Sequence, residues 1–388
     1  MYRRLLQFIC CPECRETLEL LPLDTQADGT GEDEIETGLL TCEAGHWYPI
    51  VRGIPRLLPD SLRAHWQLVK PYVPQPVPPR LQSLPSILAH KSSRKVNYHR
   101  ATQEHFSYEW EQHELGDRTW GMKLADRVLW FFLLPLRRPA TELRDKVLLD
   151  AGCGNGSQSV AYTEYGLEVL AIDLSTGLEH GHAYRRLHPG ARPRRVHFIQ
   201  GNLQQPPVRD DCVDIIHSAG VLHHTPDTRQ TFRALLPLLR AGGTFYVWLY
   251  KHERFVTPLV NSIRAVTTRI PPIVFASVAQ VMTVPFMLFC TTVNALGLRS
   301  YAKLNRREAA LALLDIFGAP YAHAHSYSEV ADWYRAAGFT EIWSCSEGRR
   351  SFGVCGHLGA AQARVEAQQR GAHGEQAAGA LIAQERNA

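Results

Sequence analysis

The sequence predicts an α/β protein built on a mainly parallel sheet, and three observations support this class. First, from residue 146 onwards short apolar segments alternate with helical patterns, as in strand–helix units of a parallel sheet. Second, a glycine-rich turn joins the first of these strands to the helix that follows it. Third, 45% of the 388 residues are hydrophobic and 21% are charged, so the chain can form a sizeable core and is not disordered as a whole.

The charged residues divide the chain into three parts. Residues 1–60 carry five basic and eleven acidic side chains, whereas residues 61–100 carry seven basic side chains and no acidic one. The overall formal charge of +4 is too balanced to indicate nucleic-acid binding by itself. Nine cysteines in a chain of this length do not suggest a disulfide scaffold, and no charged-then-apolar leader opens the sequence. We therefore expect a cytoplasmic protein.

The acidic first 60 residues contain two close pairs of potential metal ligands. Cys11 and Cys14 form a C-x-x-C pair, and Cys42 and His46 form a C-x-x-x-H pair. A tetrahedral zinc site needs four such ligands, so we predict one structural zinc ion held by these residues. Because a unit of this size has a small core, the metal would contribute much of its folding free energy. The alternative is that the thiols are reduced and buried as small hydrophobic side chains.

This region also resembles known zinc ribbons. Residues 11–14 (Cys-Pro-Glu-Cys) together with residues 48–59 resemble the Trm112-like zinc-ribbon family. A Cys-then-His second pair is instead similar to the ribbon of bacterial 23S ribosomal RNA guanine methyltransferases. The resemblance implies a small zinc-ribbon domain over residues 1–60. Between the ligand pairs, the polar and acidic segment 24–37 is predicted to be a mobile loop.

Residues 61–100 are predicted to be an extended basic linker, because prolines at this density disfavour helix interiors and central strands. Its positive charges either keep the linker solvated or contact phosphates or a membrane surface. The next segment, residues 103–134, is aromatic and amphipathic. It is expected either to pack on the body as ordinary helices or to cap an active site with Tyr108, Trp110 and His113.

The central part of the chain predicts a nucleotide-type cleft. An apolar strand at residues 146–150 runs directly into the glycine-rich turn 151–156, where glycines permit a sharp turn and close approach of a ligand. The next strand, residues 167–172, ends at Asp173, whose carboxylate can accept both ribose hydroxyls. A carboxylate at the end of the first strand, Asp150, would repel a pyrophosphate but can orient the amine of an amino-acid-like ligand.

The turn closely resembles the first motif of class I S-adenosylmethionine-dependent methyltransferases, and the resemblance continues over most of residues 146–250. Within that class the chain looks like the type 11, ubiquinone/menaquinone methyltransferase-like group. The resemblance implies a Rossmann-like, seven-stranded methyltransferase sheet over residues 101–358. It also implies that S-adenosylmethionine contacts Asp150, Ala151, Gly152, Cys153, Gly154, Asn155, Gly156, Asp173, Leu174, Asn202, Leu203 and Ser218.

Two adjacent histidines follow the fourth predicted strand. Methyl transfer from a sulfonium is an in-line displacement, in which positioning and desolvation do most of the work. An oxygen nucleophile must also lose a proton to a base, and the ordinary pKa of histidine suits that role. We therefore predict His223 and His224 as catalytic residues; the alternative is that they support the cofactor or the start of a helix. Further candidates are Tyr250, His252, His323, His325 and Tyr327.

Residues 251–308, after the fifth strand, form an apolar helical insertion. Residues 270–298 contain no charged side chain, and no acidic residue occurs between Glu253 and Glu308. The run is long enough for a transmembrane helix, but the chain must return to complete the same sheet. We therefore predict two short helices broken near Pro285, which form either a buried lid or an interfacial hairpin. Residues 359–388 are predicted to be a disordered tail.

The sequence thus favours a methyltransferase that acts on an oxygen or a carbon of a small-molecule or lipid-like acceptor. It would be cytoplasmic, with peripheral contact at the inner membrane face if the insertion meets lipid. The alternatives are a ribosomal or transfer RNA base methyltransferase and a non-catalytic partner-binding protein. Nucleic acid is not expected, because phosphate contact needs basic side chains and the ribbon offers only Arg3, Arg4, Arg15, Arg52 and Arg56.

Overall fold

The computed structural model of the chain describes residues 1–27, 32–77, 81–82, 88, 97–111, 118–187, 192–254, 256–297, 303–348 and 350–359. The strands are β1 (Glu19–Ala27), β2 (Asp33–Thr41), β3 (Trp47–Val51), β4 (Ile54–Leu57), β5 (Val147–Ala151), β6 (Glu168–Asp173), β7 (Val196–Gly201), β8 (Val213–Ala219), β9 (Leu239–Tyr250), β10 (Phe339–Cys345) and β11 (Ser351–Leu358). The predicted tail lies outside the described residues, apart from residue 359.

The α-helices of the described residues pack on both faces of this sheet and beyond its edges. They are α1 (Ser61–Val69), α2 (Asn97–Glu111), α3 (Leu124–Val128), α4 (Leu134–Leu136), α5 (Ser157–Tyr162), α6 (Leu178–Tyr184), α7 (Thr228–Leu235), α8 (Val256–Thr267), α9 (Pro272–Ala295), α10 (Arg306–Gly318) and α11 (Tyr327–Ala336). A π-helical turn, Leu129–Leu133, joins α3 to α4.

All these strands belong to one sheet with the order β1-β2-β3-β4-β7-β6-β5-β8-β9-β11-β10. The five strands β7, β6, β5, β8 and β9 run parallel, and β11 and β10 add an antiparallel pair. Every residue of β5, β6 and β7 is buried, as expected for parallel strands covered on both faces. The predicted α/β class with a seven-stranded sheet is confirmed, and the ribbon adds four strands to it.

The ribbon, residues 1–60, shares a hydrophobic core with the α/β part of the chain, residues 101–358, which we call the body. β4 pairs in parallel with β7, which places Arg56 opposite Gln200 and Leu57 opposite Gly201. One hydrophobic cluster contains buried side chains of both parts, such as Leu5 from the ribbon and Ile199 from the body. The two parts therefore fold against each other as one unit.

The predicted mobile loop over residues 24–37 is wrong for the described part of that segment. β1 and β2 form an antiparallel hairpin there, with Thr25 opposite Ile35 and Ala27 opposite Asp33. The segment is polar in sequence, but Ile35 is only 1% exposed because the hairpin packs on the body. Contacts that are distant in sequence decide its structure.

The predicted extended linker is wrong at its start, where α1 forms. The helix spans nine residues that contain no proline, and the first proline after it is Pro71. Its buried side chains Leu62 and Val69 pack against Leu39 and Val51 of the ribbon. The helix is therefore stabilised by tertiary contacts that a composition argument does not include.

The predicted break near Pro285 is also wrong, because α9 continues through this proline as a single helix of 24 residues. Proline inside a helix costs about 3 kcal/mol, since it removes one backbone hydrogen bond and crowds the preceding turn. Here buried side chains on both sides of the proline, Ala279 and Cys290, keep the helix on the body. Contacts before and after the proline therefore offset the local cost.

Candidate active site and metal centre

The glycine-rich turn has the backbone geometry that its sequence predicts. Gly152, Gly154 and Gly156 have φ angles of +90°, +56° and +73°, a region that side-chain-bearing residues rarely adopt. The amides of Gly152 and Cys153 both donate to the carbonyl of Ile172 at the end of β6, at 2.8 and 3.0 Å. The turn is therefore fastened to the neighbouring strand and opens at the carboxyl edge of the sheet.

Asp173 lies at the end of β6, as predicted, and also supports the turn. Its Oδ2 accepts a hydrogen bond from the Gly154 amide at 2.8 Å, and its Oδ1 accepts from the amide and hydroxyl of Ser175 at 2.8 and 2.7 Å. Burial raises the pKa of Asp173, although these hydrogen bonds act in the opposite direction. Since a carboxylate has about four lone-pair sites, acceptor capacity is left for a ribose hydroxyl.

Asp150 lies beneath the turn. Its side chain accepts a hydrogen bond from the Ser159 hydroxyl at 2.6 Å and lies 3.2 Å from Nδ1 of His217. Ser218 similarly bridges two strands by donating to the carbonyl of Ala151 at 2.9 Å. These two predicted cofactor residues therefore hold the strands and the turn in place.

The predicted adenine segment follows β7. The side-chain oxygen of Asn202 accepts a hydrogen bond from the Gln204 amide at 3.0 Å, which shapes the turn after the strand. Leu203 is buried beside it, and the carbonyl of Leu174 accepts from Gln200 at 3.0 Å. Contact of these residues with a cofactor stays a prediction.

A cavity of about 480 Å³ begins at the turn and extends beneath α8 and α10. Of the predicted cofactor-binding residues, Gly152, Cys153 and Asn155 line it. Its wall combines many aromatic and apolar side chains with polar ones, as in a small-molecule site. Seven of the lining side chains are acidic or basic: Glu109, Arg127, Lys251, Glu253, Arg264, Asp315 and Arg350. The aromatic side chains include Phe106, Trp110, Phe131 and Trp248.

Trp110 of α2 packs directly on the turn. A Cβ atom added to Gly154 would lie 2.4 Å from the Trp110 ring, and one added to Gly177 would lie 2.5 Å from the Trp110 side chain. The Trp110 side chain can lie this close to the turn only because these positions are glycine. The glycine turn, the carboxylate of Asp173 and the adjoining cavity fit S-adenosylmethionine. His113, the other predicted capping residue in this region, lies outside the described residues.

The structure places the two predicted catalytic histidines behind the cavity wall. His223 is fully buried, its ring centroid lies 4.1 Å from that of Tyr250, and burial lowers its pKa well below the ordinary value. Within the described residues, neither of its ring nitrogens has a hydrogen-bond partner. His224 Nδ1 lies 2.7 Å from the carbonyl of Tyr321, and its Nε2 lies 3.3 Å from Asp315 Oδ1. A catalytic role for either histidine stays a prediction.

Asp315 and Tyr250 do line the cavity, and they form a hydrogen-bonded pair in which the Tyr250 hydroxyl donates to Asp315. Burial alone would raise the pKa of Asp315, but the nearby His224 ring and the hydrogen bond from Tyr250 outweigh it and lower the pKa below its usual value. Burial and the nearby Asp315 charge raise the pKa of Tyr250 well above its ordinary value. The lowered pKa favours the ionised form of Asp315, which shares the wall with other acidic and basic side chains such as Glu109 and Arg264.

Glu109 of α2 lines the same cavity and has the opposite character. It is 1% exposed, and burial and the negative charge of Asp315 raise its pKa well above the usual value. His105 Nε2 lies 3.6 Å from it, and burial lowers the pKa of His105 to about 4. Two carboxyl groups whose pKa values are displaced in opposite directions are the pattern expected for an acid and a base in one site.

Sequence reasoning missed Asp315 and Glu109 and ranked Tyr250 among several further candidates. One sequence signal was available for Asp315: it is an isolated acid within the apolar helical run Ala309–Ile316. For Glu109 there was no such signal, because acidic residues are common in this part of the sequence. The fold alone brings α2, β9 and α10 together around the cavity.

The ribbon brings the four predicted metal ligands together. The ligand atoms of Cys11, Cys14, Cys42 and His46 all lie within 4.8 Å of one another. The sulfurs of Cys14 and Cys42 are 3.6 Å apart, close to the ~3.8 Å between two thiolates on one tetrahedral zinc. Tyr48 supports the site, since its hydroxyl lies 3.2 Å from the Cys11 sulfur and donates to Glu13. Three thiols and one imidazole in this arrangement fit a structural zinc ion.

Two family profiles match the chain. A methyltransferase domain matches residues 149–247, and a Trm112p-like protein matches residues 3–53. The chain is 30% identical over 114 residues to malonyl-[acyl-carrier protein] O-methyltransferase of Nitrosospira multiformis, which covers 26% of this chain and 37% of that protein. It is 28% identical over 109 residues to demethylmenaquinone methyltransferase of Renibacterium salmoninarum, which covers 28% of this chain and 43% of that protein.

The chain thus spans less than half the length of these curated relatives. Among solved structures, Burkholderia thailandensis 1,6-didemethyltoxoflavin-N1-methyltransferase with bound S-adenosylhomocysteine is similar at 16% identity and a TM-score of 0.38. That match covers 70% of this chain and 92% of that one. The two family profiles fall on the glycine turn with its strands and on the metal-binding ribbon. The chain therefore contains a class I S-adenosylmethionine-dependent methyltransferase domain with a Trm112-like N-terminal unit.

Proposed function

We propose that the chain transfers a methyl group from S-adenosylmethionine to an oxygen or a carbon of a small apolar or lipid-like acceptor. When bound, S-adenosylmethionine supplies an electrophilic methyl group on a sulfonium. The turn at residues 152–156 and Asp173 would hold it at the mouth of the cavity. The observation that carries the proposal is the hydrogen-bonded Asp315–Tyr250 pair in the wall of a cavity that begins at this turn and has many aromatic and apolar side chains.

Asp315 is the group best placed to accept a proton from the acceptor. The proton of a hydroxyl or an acidic C–H moves to the Asp315 carboxylate, and the electron pair stays on the acceptor atom that receives the methyl group. Tyr250 holds one oxygen of Asp315 by its hydrogen bond, and His224 faces the other at 3.3 Å. Burial raises the pKa of Glu109, which favours its protonated form, and that form can donate a hydrogen bond to an oxygen of the acceptor.

The contacts of the ribbon support a small-molecule acceptor over RNA. Arg4 pairs with Glu168 at 3.1 Å, and Arg15 pairs with Asp210 at 2.7 Å. Arg52 and Arg56 both pair with Glu179. Four of the five ribbon arginines are thus engaged with carboxylates of the body and are not arranged as a phosphate-binding surface.

The cofactor assignment is tested by calorimetric titration of S-adenosylmethionine into the wild type and Asp173→Ala. We expect this substitution to weaken binding by about 1–3 kcal/mol, since it leaves ribose hydroxyls unpaired and frees the Gly154 amide. Asp332→Ala, at an exposed surface carboxylate, is the matched control and should bind like the wild type. Undiminished affinity of a folded Asp173→Ala variant would contradict the assignment. No heat of binding with the wild type would favour a non-catalytic protein.

The base is tested with labelled S-adenosylmethionine, a metabolite library and a total lipid extract as acceptor sources. Asp315→Asn should lower the turnover rate by about 10²-fold or more while the affinity for the cofactor stays the same. Asp332→Asn is the control and should retain full turnover. If His224→Gln abolishes methyl transfer and Asp315→Asn does not, the base is the histidine that the sequence predicted.

A further inference from the structure

The helix α9 presents an apolar surface that no described part of the chain covers. Ile273 is 67% exposed, Val281 74% and Leu288 63%. Because successive exposed residues follow each other at helical spacing, they form a continuous strip along the outer side of the helix. We define the outer apolar face by these large exposed side chains of α9: Ile273, Val274, Val278, Val281, Met282, Val284 and Leu288.

Helix α8 also exposes apolar side chains. Leu259, Ile263 and Val266 recur at intervals of four and three residues, and each is at least 42% exposed. Exposed apolar side chains that occur singly are ordinary, but rows of them along one side of a helix mark an interaction site.

The opposite side of α9 holds the helix firmly on the body. Phe275, Ala276 and Ala279 are buried against Leu311 and Leu314 of α10. The residues Ile273–Ala295 have a mean hydropathy of 2.0 and are long enough to cross a membrane, although by length and composition only. Only 22% of this segment is buried in the structure, so α9 packs on the body through one side and leaves an apolar side exposed, as expected of an interfacial helix.

The chain on both sides of α9 also returns to the same fold. Before α9, the guanidinium of Arg264 in α8 donates to the carbonyls of Ile316 and Ala319 at the end of α10. After α9, the chain continues through α10 and α11 to β10 and β11, which complete the sheet beside β9. A membrane span would separate these parts, so contact with a membrane must be peripheral.

The charge around the face indicates its partner. No acidic residue occurs between Glu253 and Glu308. The exposed Arg269 precedes α9, and the exposed Lys303 and Arg306 lie at the start of α10. Because Phe275 of α9 lies beside Gly318 at the far end of α10, the two helices run antiparallel and these cations flank both ends of the face. An uncharged apolar strip between positive charges complements an anionic lipid surface.

We propose that the outer apolar face docks on an anionic lipid bilayer, with α9 lying in the interface. One consequence rests on the proposed function: an apolar acceptor dissolved in the bilayer would reach the cavity past α8. Its residues Val256 and Val260 line the cavity, whereas Leu259 and Ile263 are exposed on the outside of the same helix.

The test is sedimentation of the full chain with phosphatidylcholine vesicles and with vesicles containing phosphatidylglycerol as the anionic lipid. We expect binding to the anionic vesicles that weakens as salt is added. In the double variant Val281→Ser/Leu288→Ser, the affinity for these vesicles should fall by at least about tenfold. Leu187→Ser removes a side chain that is 77% exposed elsewhere on the surface, and this control should bind like the wild type.

Absence of binding at low salt, or equal binding by the wild type and the double variant, would overturn the proposal. A dimer in sedimentation equilibrium that dissociates in the double variant would show instead that a second copy covers the face. The measurement uses neither cofactor nor acceptor, so its outcome is independent of whether methyl transfer is confirmed. The double variant should also retain the wild-type affinity for S-adenosylmethionine, which separates loss of docking from damage to the site.

Discussion

The junction between the ribbon and the body is charged yet buried, whereas the outer apolar face is uncharged yet exposed. At the junction, Glu34 is 0% exposed and accepts hydrogen bonds from Arg185 and Arg186, while His182 Nε2 lies 3.1 Å away. On the outer face, Val281 is 74% exposed. In these two regions, a side chain is buried where another part of the chain packs on it or pairs with it, whatever the hydropathy of the residue.

The electrostatics of the junction explain how it tolerates buried charge. Burial would raise the pKa of Glu34, but the hydrogen bond from His182 and the charge of Arg185 outweigh it and hold the pKa well below its usual range. Arg56, 1% exposed, donates to Glu179 at 2.6 Å and to Gln200 at 3.2 Å. Glu34 and Arg56 of the ribbon thus each have a counter-charge from the other side of the junction, and the buried Met1 ammonium adds a further one to Glu34.

Among substitutions in these two regions and the ribbon, the largest loss of stability should come from removing the predicted metal ligand Cys14. We expect Cys14→Ala to lose zinc and, with it, on the order of 10 kcal/mol of metal-binding free energy. Because ribbon and body share a core, the unfolding temperature of the whole chain should fall. Metal analysis and thermal unfolding check this, and Cys10→Ala, at a buried cysteine outside the ligand set, should keep its zinc. Full zinc occupancy in Cys14→Ala would mean that the ligand set is wrong.

A smaller loss is expected from Glu34→Gln. This change leaves Arg185 buried without its counter-charge, so we expect a loss of about 3–5 kcal/mol in the free energy of unfolding. Glu32→Gln, which removes a loose surface pair with Arg194, is the control and should cost about 1 kcal/mol or less. Denaturant unfolding measures both, and equal losses would show that the junction is not held by buried charge.

Acid should weaken the junction in two stages. Burial lowers the pKa of the Met1 ammonium, which contacts Glu34, to about 5 and that of His182 to about 4. In the first stage the unfolded chain therefore takes up these two protons before the folded chain does, and stability falls as the pH drops below about 8. The lowered pKa of Glu34 adds a second loss below about pH 4.3, where the unfolded carboxyl becomes protonated. Unfolding across pH 3–8 should show both stages in the wild type, and Glu34→Gln should lack the second.

The smallest change in the free energy of unfolding is expected from substitutions on the outer apolar face. Val281→Ser/Leu288→Ser should change the free energy of unfolding by only about 0.5 kcal/mol per site, because nothing in the described chain packs on these side chains. Leu314→Ala, which removes a buried side chain on α10 beneath α9, should cost about 2–5 kcal/mol. A loss in the double variant as large as in Leu314→Ala would show that the outer face is covered in solution.

Local patterns in the sequence were enough for much of the fold and part of the site. The strand at residues 146–150, the glycines after it and Asp173 are neighbours in the chain or lie one strand apart. Their structure follows from backbone sterics and short-range packing. The spacing of Cys11 with Cys14 and of Cys42 with His46 likewise needs only two tight turns. For these features the prediction matches the described geometry.

Only the tertiary structure decided which ionisable groups face the cavity and which surfaces are covered. Asp315, Tyr250 and Glu109 lie on three elements far apart in sequence, and their pKa values are displaced by burial that no local pattern contains. In the same way, the polar side chain of Glu34 is buried because Arg185 of the body pairs with it. The apolar outer side of α9 is exposed because no described part of the body packs on it. By itself the sequence determined the turn, the strands and the metal ligands. Exposure and charge depend on neighbours that meet only when the sheet has assembled.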